Sequence, residues 1–303
     1  MLGAGGLALA QAGFPLRAVG WTDPKVDVAD VLTTEPAECF APPQTLRASA
    51  EIGRAAFRTP VLLGGQAARA GLSCESCHRG GRGNPQFQFP GVSGPPGTAD
   101  VTSSLFSSHR GNGRDDPVAI PDLSGKRERL KIAPESLEPF IHGLVVEEFD
   151  GPEPSPAVLK GLADYVRSLR PQACPTPASR PVSASGLLDD ARRAIEAAAS
   201  APDDPTRLLL IAGGRARLGL IDERFASPSF GAERRALRAA DADLAAIAAA
   251  VRSGRPDVPK RLAAWPERLP PLALQLNRRE GQSLFDPKTL RAAVEGRLPE
   301  GAS

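Results

Sequence analysis

Gly71-Leu72-Ser73-Cys74-Glu75-Ser76-Cys77-His78 decides how the rest of the chain is read. The segment holds Cys-x-x-Cys-His, the attachment pattern of c-type haem. Two thiols three positions apart suit the two vinyl groups of one porphyrin, and the adjacent imidazole then lies under the iron as its proximal ligand. A thiol-redox pair needs the two cysteines but not the histidine. A zinc ribbon needs a second cysteine pair at similar spacing, and the other two cysteines, Cys39 and Cys174, stand far apart. The spacing predicts one covalent haem c on Cys74 and Cys77, with His78 as the iron ligand. A redox pair and a chance match are the alternatives.

The 303 residues suffice for two domains, and a net charge of +2 gives no electrostatic case for nucleic acid. Aromatics make up 5% and alanine is abundant, which suits helices with small side chains at their contacts. No stretch approaches the ~20 apolar residues of a membrane span. Residues 1–12 are small and apolar, and Ala10-Gln11-Ala12 fits a secretory cleavage site. They are expected to be a signal segment, with the basic start of that signal lying upstream of Met1. Haem c is attached outside the bacterial cytoplasm, so the motif also points to export and a periplasmic location. A Cys39–Cys174 disulfide would suit that compartment and tie the ends of the haem domain together; two unpaired buried thiols are the other reading.

Composition also bears on the second axial ligand. The only methionine is Met1, which nearly excludes His–Met ligation. The only other histidines are His109, in a loop rich in serine and glycine, and His142, beside Phe140, Ile141 and Leu144. His109 is the first candidate for the distal ligand and His142 the second. The alternatives are a solvent-exposed loop histidine and a core or propionate-bonded one. Six ligands suit electron transfer and five suit peroxidase-like chemistry; six-coordinate, low-spin iron is expected. Glu147, Glu148 and Asp150 form an acidic run near His142 that reads as a solvated turn, with a general base for peroxide as the sharper alternative.

Along the chain, residues 13–44 read as an irregular arm broken by prolines, in which Val26, Val28 and Val31 make at most a short strand. A helix is predicted from an N-cap at Thr45 to about residue 58, with Leu46, Ala50, Gly53 and Phe57 on one face. Residues 79–125 read as loop packed on the haem, with 117–123 extended along its edge. A short helix is marked by Leu137, Phe140, Ile141, Leu144 and Val145. Ser155 and Pro156 open another that runs to Leu169, and the first and last of these helices should cross with Gly53 near Tyr165. Residues 175–185 look like a linker. Helices follow over 186–200, 205–224, 231–253, 258–265, 270–280 and 287–297, opened in two cases by Asp204-Pro205 and Asp286-Pro287, with a possible kink at Gly213-Gly214. The fold class is therefore mostly α: a cytochrome c-like haem domain over 40–175, then a helical, bundle-like domain over 186–303.

Gly53-Arg54-Ala55-Ala56-Phe57-Arg58-Thr59-Pro60 leading into Leu72-Ser73-Cys74-Glu75-Ser76-Cys77-His78 is similar to the opening of domains in the di-haem cytochrome c peroxidase family. Ile120-Pro121-Asp122-Leu123, Pro139-Phe140-Ile141-His142-Gly143 and the helix from Leu159 to Leu169 resemble later segments of that family. The likeness covers residues 45–170 and implies a cytochrome c-like domain. The family passes electrons between two haems, whereas this chain has one Cys-x-x-Cys-His. Residues 279–287 faintly echo a pre-haem helix that no second motif follows. The leading functional reading is a mono-haem cytochrome that exchanges single electrons with a redox partner protein. A peroxidase-like oxidoreductase is the second, and a haem-based sensor or scaffold with a helical docking domain the third.

Overall fold

A computed structural model describes residues 14–103, 105–125, 132–176 and 178–296; the expected signal segment, residues 1–12, lies outside them. The described chain is mostly helical, and no helix in it is long and apolar enough to cross a membrane.

The arm departs from expectation. Asp27 caps a short helix, α1 (Val28–Thr33), by accepting from the amides of Ala29 and Asp30, so Val28 and Val31 are helical rather than extended. Strand β1 (Thr34–Pro36) follows. Leu16, Val19, Ala29 and Leu32 then form an apolar cluster with Leu284 and Leu290 from the far end of the chain. This apolar burial, not local propensity, orders a proline-broken segment.

Helix α2 (Arg47–Phe57) is preceded by a 3-10 turn over Gln44–Leu46. Thr45 lies inside that turn and no side chain caps α2. After α3 (Gly65–Ala70) comes α4 (Cys74–Cys77), the one-turn helix of the Cys-x-x-Cys-His motif. Residues 79–125, expected as a loop packed on haem rather than on protein, also pack on protein. Phe87, Val92, Ala99 and Phe106 pack with Leu63, Ala67 and Leu72 in a cluster of their own, and β2 (Thr98–Ala99) pairs antiparallel with β3 (Val118–Ala119). Four apolar side chains of the segment thus find protein partners. Helix α5 (Leu137–Gly143) runs into a π-turn over Leu144–Glu148, and α6 (Pro156–Ser168) is capped by Ser155 as expected.

Helix α2 packs most extensively on α6. The crossing point is Gly53 against Gly161, one turn before Tyr165: a Cβ on Gly53 would lie 1.8 Å from the Gly161 carbonyl oxygen. Only two glycines facing each other allow the backbones so close. The opposite face of α2 meets the second half of the chain, which runs as α7 (Ala184–Ala199), α8 (Asp204–Arg224), α9 (Gly231–Arg252), α10 (Val258–Ala264), α11 (Leu269–Asn277) and α12 (Pro287–Val294). Ile52 and Ala55 of α2 belong to the same core as Leu188, Ile195, Leu210, Leu244 and Trp265. Asp203 rather than Asp204 caps α8. That helix runs through Gly213 and Gly214 without interruption, and the two glycines instead admit Thr59 and Ile195. Phe285, in the segment that echoes a pre-haem helix, plugs the bundle core under Arg224.

Residues 175–185 carry β4 (Ser179–Pro181), which pairs antiparallel with β1. Beside it, Cys39 and Cys174 form a disulfide across 135 positions. A cross-link closing so long a loop mainly restricts the unfolded chain. Cys39→Ser with Cys174→Ser should lower stability by about 2–4 kcal/mol. Melting curves with and without reductant check this, and a wild-type midpoint indifferent to reductant would contradict it.

Candidate functional site

The candidate site grows from α4. Ser73 and Ser76 form a capping box, with the Ser73 amide donating to Ser76 Oγ at 3.1 Å, and this holds the single turn closed. Cys74 and Cys77 occupy its two ends, three positions apart, and so share a face. Cys74 packs with Leu123, Ile141 and Val146 against one apolar cluster. Cys77 packs with Phe89, Val101 and Phe149 against the neighbouring one. Both thiols are free, and burial pushes each up to about 12. That is the opposite of a dithiol oxidoreductase, whose attacking cysteine is acidified by positive surroundings.

His78 ends the turn. Its Nδ1 lies 3.1 Å from the carbonyl oxygens of both Arg82 and Pro121. Both partners only accept, so Nδ1 carries the proton and Nε2 keeps its lone pair. A second-shell carbonyl sets the same tautomer on metal-ligating histidines. Burial also lowers the imidazole's proton affinity and keeps it neutral. The loop that supplies the Arg82 carbonyl turns through Gly80 and Gly81 at φ of 63° and 68°, and a side chain on Gly81 would run into Leu169. Phe57 of α2 stands 6.2 Å from the His78 ring. Two free thiols one turn apart and a neutral imidazole with an unprotonated Nε2 are the groups a covalently held haem would use. Among the described residues, no group of three or more His, Cys, Asp or Glu is arranged to hold a bare metal ion.

The other candidate ligands differ in how closely a carboxylate approaches them. His109 is well exposed, and its Nε2 lies 3.9 Å from Asp150 Oδ1. His142 Nε2 lies 3.0 Å from Glu153. The acidic run near His142 divides. Glu147 is exposed and paired with Arg110. Asp150 accepts from the amide and hydroxyl of Ser108. Glu148 is buried, its Oε2 has no hydrogen-bond partner, and Arg110 reaches its other oxygen at 3.4 Å. Burial raises its carboxyl above the ordinary range. A solvated turn therefore describes Glu147 but not Glu148. Glu148 lies in sequence between Val145 and Val146, of the cluster that takes Cys74, and Phe149, of the cluster that takes Cys77.

Sequence reasoning missed a buried ionic network behind the motif. Glu75, the residue after Cys74, accepts from the Gly80 amide at 2.8 Å, and its other oxygen lies 3.3 Å from Arg58 Nη2. Arg58 also pairs with Glu38 at 3.0 Å, and Arg54 binds Glu38 at 2.8 Å and Asp190 at 2.7 Å. Tyr165 donates to Glu38 at 2.6 Å. Against the effect of its own burial, Arg58 and Arg54 hold the Glu38 carboxyl down at about 2. Burial lifts that of Glu75 in spite of Arg58. A signal existed: Ala50, Arg54 and Phe57 follow at helical spacing, which puts a guanidinium on the apolar stripe of α2.

Compared with models of protein families, with curated proteins and with solved structures, the chain matches none.

Proposed function

We propose that the chain is an exported mono-haem c-type cytochrome whose first half is a cytochrome c-like domain and which exchanges single electrons with a redox partner protein. The observation that carries the reading is His78: its Nδ1 donates to two carbonyls, which leaves Nε2 for iron beside two free thiols. When bound, the haem supplies a one-electron couple in an apolar surround. Cys74 and Cys77 hold it covalently, and His78 orients it through the fixed ring. His109 is the readier distal ligand, because it is exposed and only loosely approached by Asp150, whereas His142 is clasped by Glu153. The Cys39–Cys174 disulfide supports an oxidising compartment.

One observation favours a second reading, reduction of peroxide at an open coordination position. The buried, unpartnered Oε2 of Glu148 can hold or release a proton in an apolar setting.

The test is the visible spectrum of protein exported from a bacterium with haem-attachment machinery, oxidised and reduced, with and without carbon monoxide. We expect covalent haem that is lost in Cys74→Ala with Cys77→Ala, and a low-spin oxidised spectrum that turns high-spin in His109→Ala. Purified wild type without covalent haem would refute both readings. A high-spin oxidised form that binds carbon monoxide on reduction, unchanged by His109→Ala, would favour the second.

A further inference from the structure

The helical half of the chain reaches the motif through packing, where Leu209 of α8 meets the same apolar cluster as Cys74, and through charge. Asp190 of α7 receives Arg54 Nη2 at 2.7 Å and stands 3.7 Å from Arg58 Nε. Arg217 of α8 donates to the backbone carbonyl of Arg58. Arg58 in turn meets Glu75, between the two cysteines. All of these side chains are largely buried. Three carboxylates (Glu38, Glu75, Asp190) face three guanidiniums (Arg54, Arg58, Arg217), so with all six ionised the set is formally neutral, and loss of either Asp190 from α7 or Arg217 from α8 alone leaves one charge unbalanced. In surroundings of low dielectric, a unit charge left unbalanced acts over long range.

From this arrangement we infer that residues 184–296 serve as the electrostatic counterpart of the haem segment, with Asp190 and Arg217 as positioning residues that set the charge on Arg58 and Glu75 and thereby the reduction potential. The inference rests on the haem reading above. Oxidised iron carries one more positive charge than reduced iron. Removing a negative charge from the network therefore favours the reduced form, and removing a positive charge favours the oxidised form. A role in packing alone predicts no such opposition, because loosening the same interface admits water whichever residue is cut.

The experiment is a spectroelectrochemical titration of the full-length holoprotein, with covalent haem counted as the pyridine haemochrome. Asp190→Asn should raise the midpoint potential and Arg217→Gln should lower it, while Arg217→Lys, which keeps the charge, should leave it near wild type. For one unbalanced charge at a separation on the order of 15 Å and an effective dielectric of about 20, the shift is roughly sixfold in the reduction equilibrium. Shifts of the same sign in Asp190→Asn and Arg217→Gln, or no shift in either at full haem content, would overturn the inference. So would loss of haem from both variants with Arg217→Lys normal, since that describes packing alone. Wild type without covalent haem would instead refute the cytochrome reading on which the inference rests.

Discussion

Arg58→Met should remove about 3–5 kcal/mol of stability, because it leaves buried carboxylates without a cation. Arg58 is the only guanidinium that reaches Glu75 among the ion pairs of the network, and it also serves Glu38 and Asp190. Arg54 can still hold Glu38 and Asp190. The loss therefore falls mainly on Glu75, whose carboxylate would keep the Gly80 amide alone. Its carboxyl is already raised by burial, and losing Arg58 would raise it further. Arg58→Lys should lose less, since one ammonium keeps the charge but cannot span three carboxylates and the Tyr165 hydroxyl. Urea unfolding of the full-length protein, followed by far-UV circular dichroism, measures both. A loss below about 1 kcal/mol in Arg58→Met, the range of an exposed ion pair, would show that water reaches this network.

Gly53→Ala should be more damaging than its size suggests. In a free helix the change would gain about 1 kcal/mol, because glycine is the poorer helix former. Here the new methyl would sit 1.8 Å from the Gly161 oxygen and 2.2 Å from its carbon, both rigid backbone. Helices α2 and α6 would have to part along their whole contact, and overpacking of this kind costs about 3 kcal/mol or more. The steric term is larger than the propensity term and fixes the sign. Gly161→Ala meets its neighbours at 2.9 Å and should lose less. Gly219→Ala on α8 meets nothing within 4 Å and should gain up to about 1 kcal/mol. If the Gly53 variant were as stable as wild type while the Gly219 variant gained, the α2–α6 crossing would have to be looser than described.

Both expectations turn on residues that look ordinary along the chain, which bears on what could be read beforehand. Helix α6 was legible because Ser155-Pro156 opens it and an apolar stripe runs to Leu169; these are local signals. Helix α1 was not, because its stability comes from burial against α12 at the other end of the chain. The same holds for the order in residues 79–125, which depends on Phe87 finding Leu63 and Leu72. Glu148 reads as one of three acidic neighbours, and only the π-turn that ends at Glu148 separates its buried carboxylate from the exposed Glu147 beside it.

Cys74-Glu75-Ser76-Cys77-His78 shows the same division within five residues. Two thiols and an imidazole at this spacing point to haem c by themselves, because covalent attachment and ligation are local chemistry set by one helical turn. The tautomer of His78 and the burial of Glu75 are not local. The Pro121 carbonyl joins that of nearby Arg82 at His78 Nδ1, and Arg58, itself paired with Asp190, meets Glu75; the fold brings Pro121 and Asp190 there from distant parts of the chain. Sequence alone determined most helices and the spacing of the two thiols and the imidazole, since both depend on neighbours a few positions apart. Tertiary structure alone decided which charges face the motif, since in a dry interior their effect depends on distance in space and not along the chain.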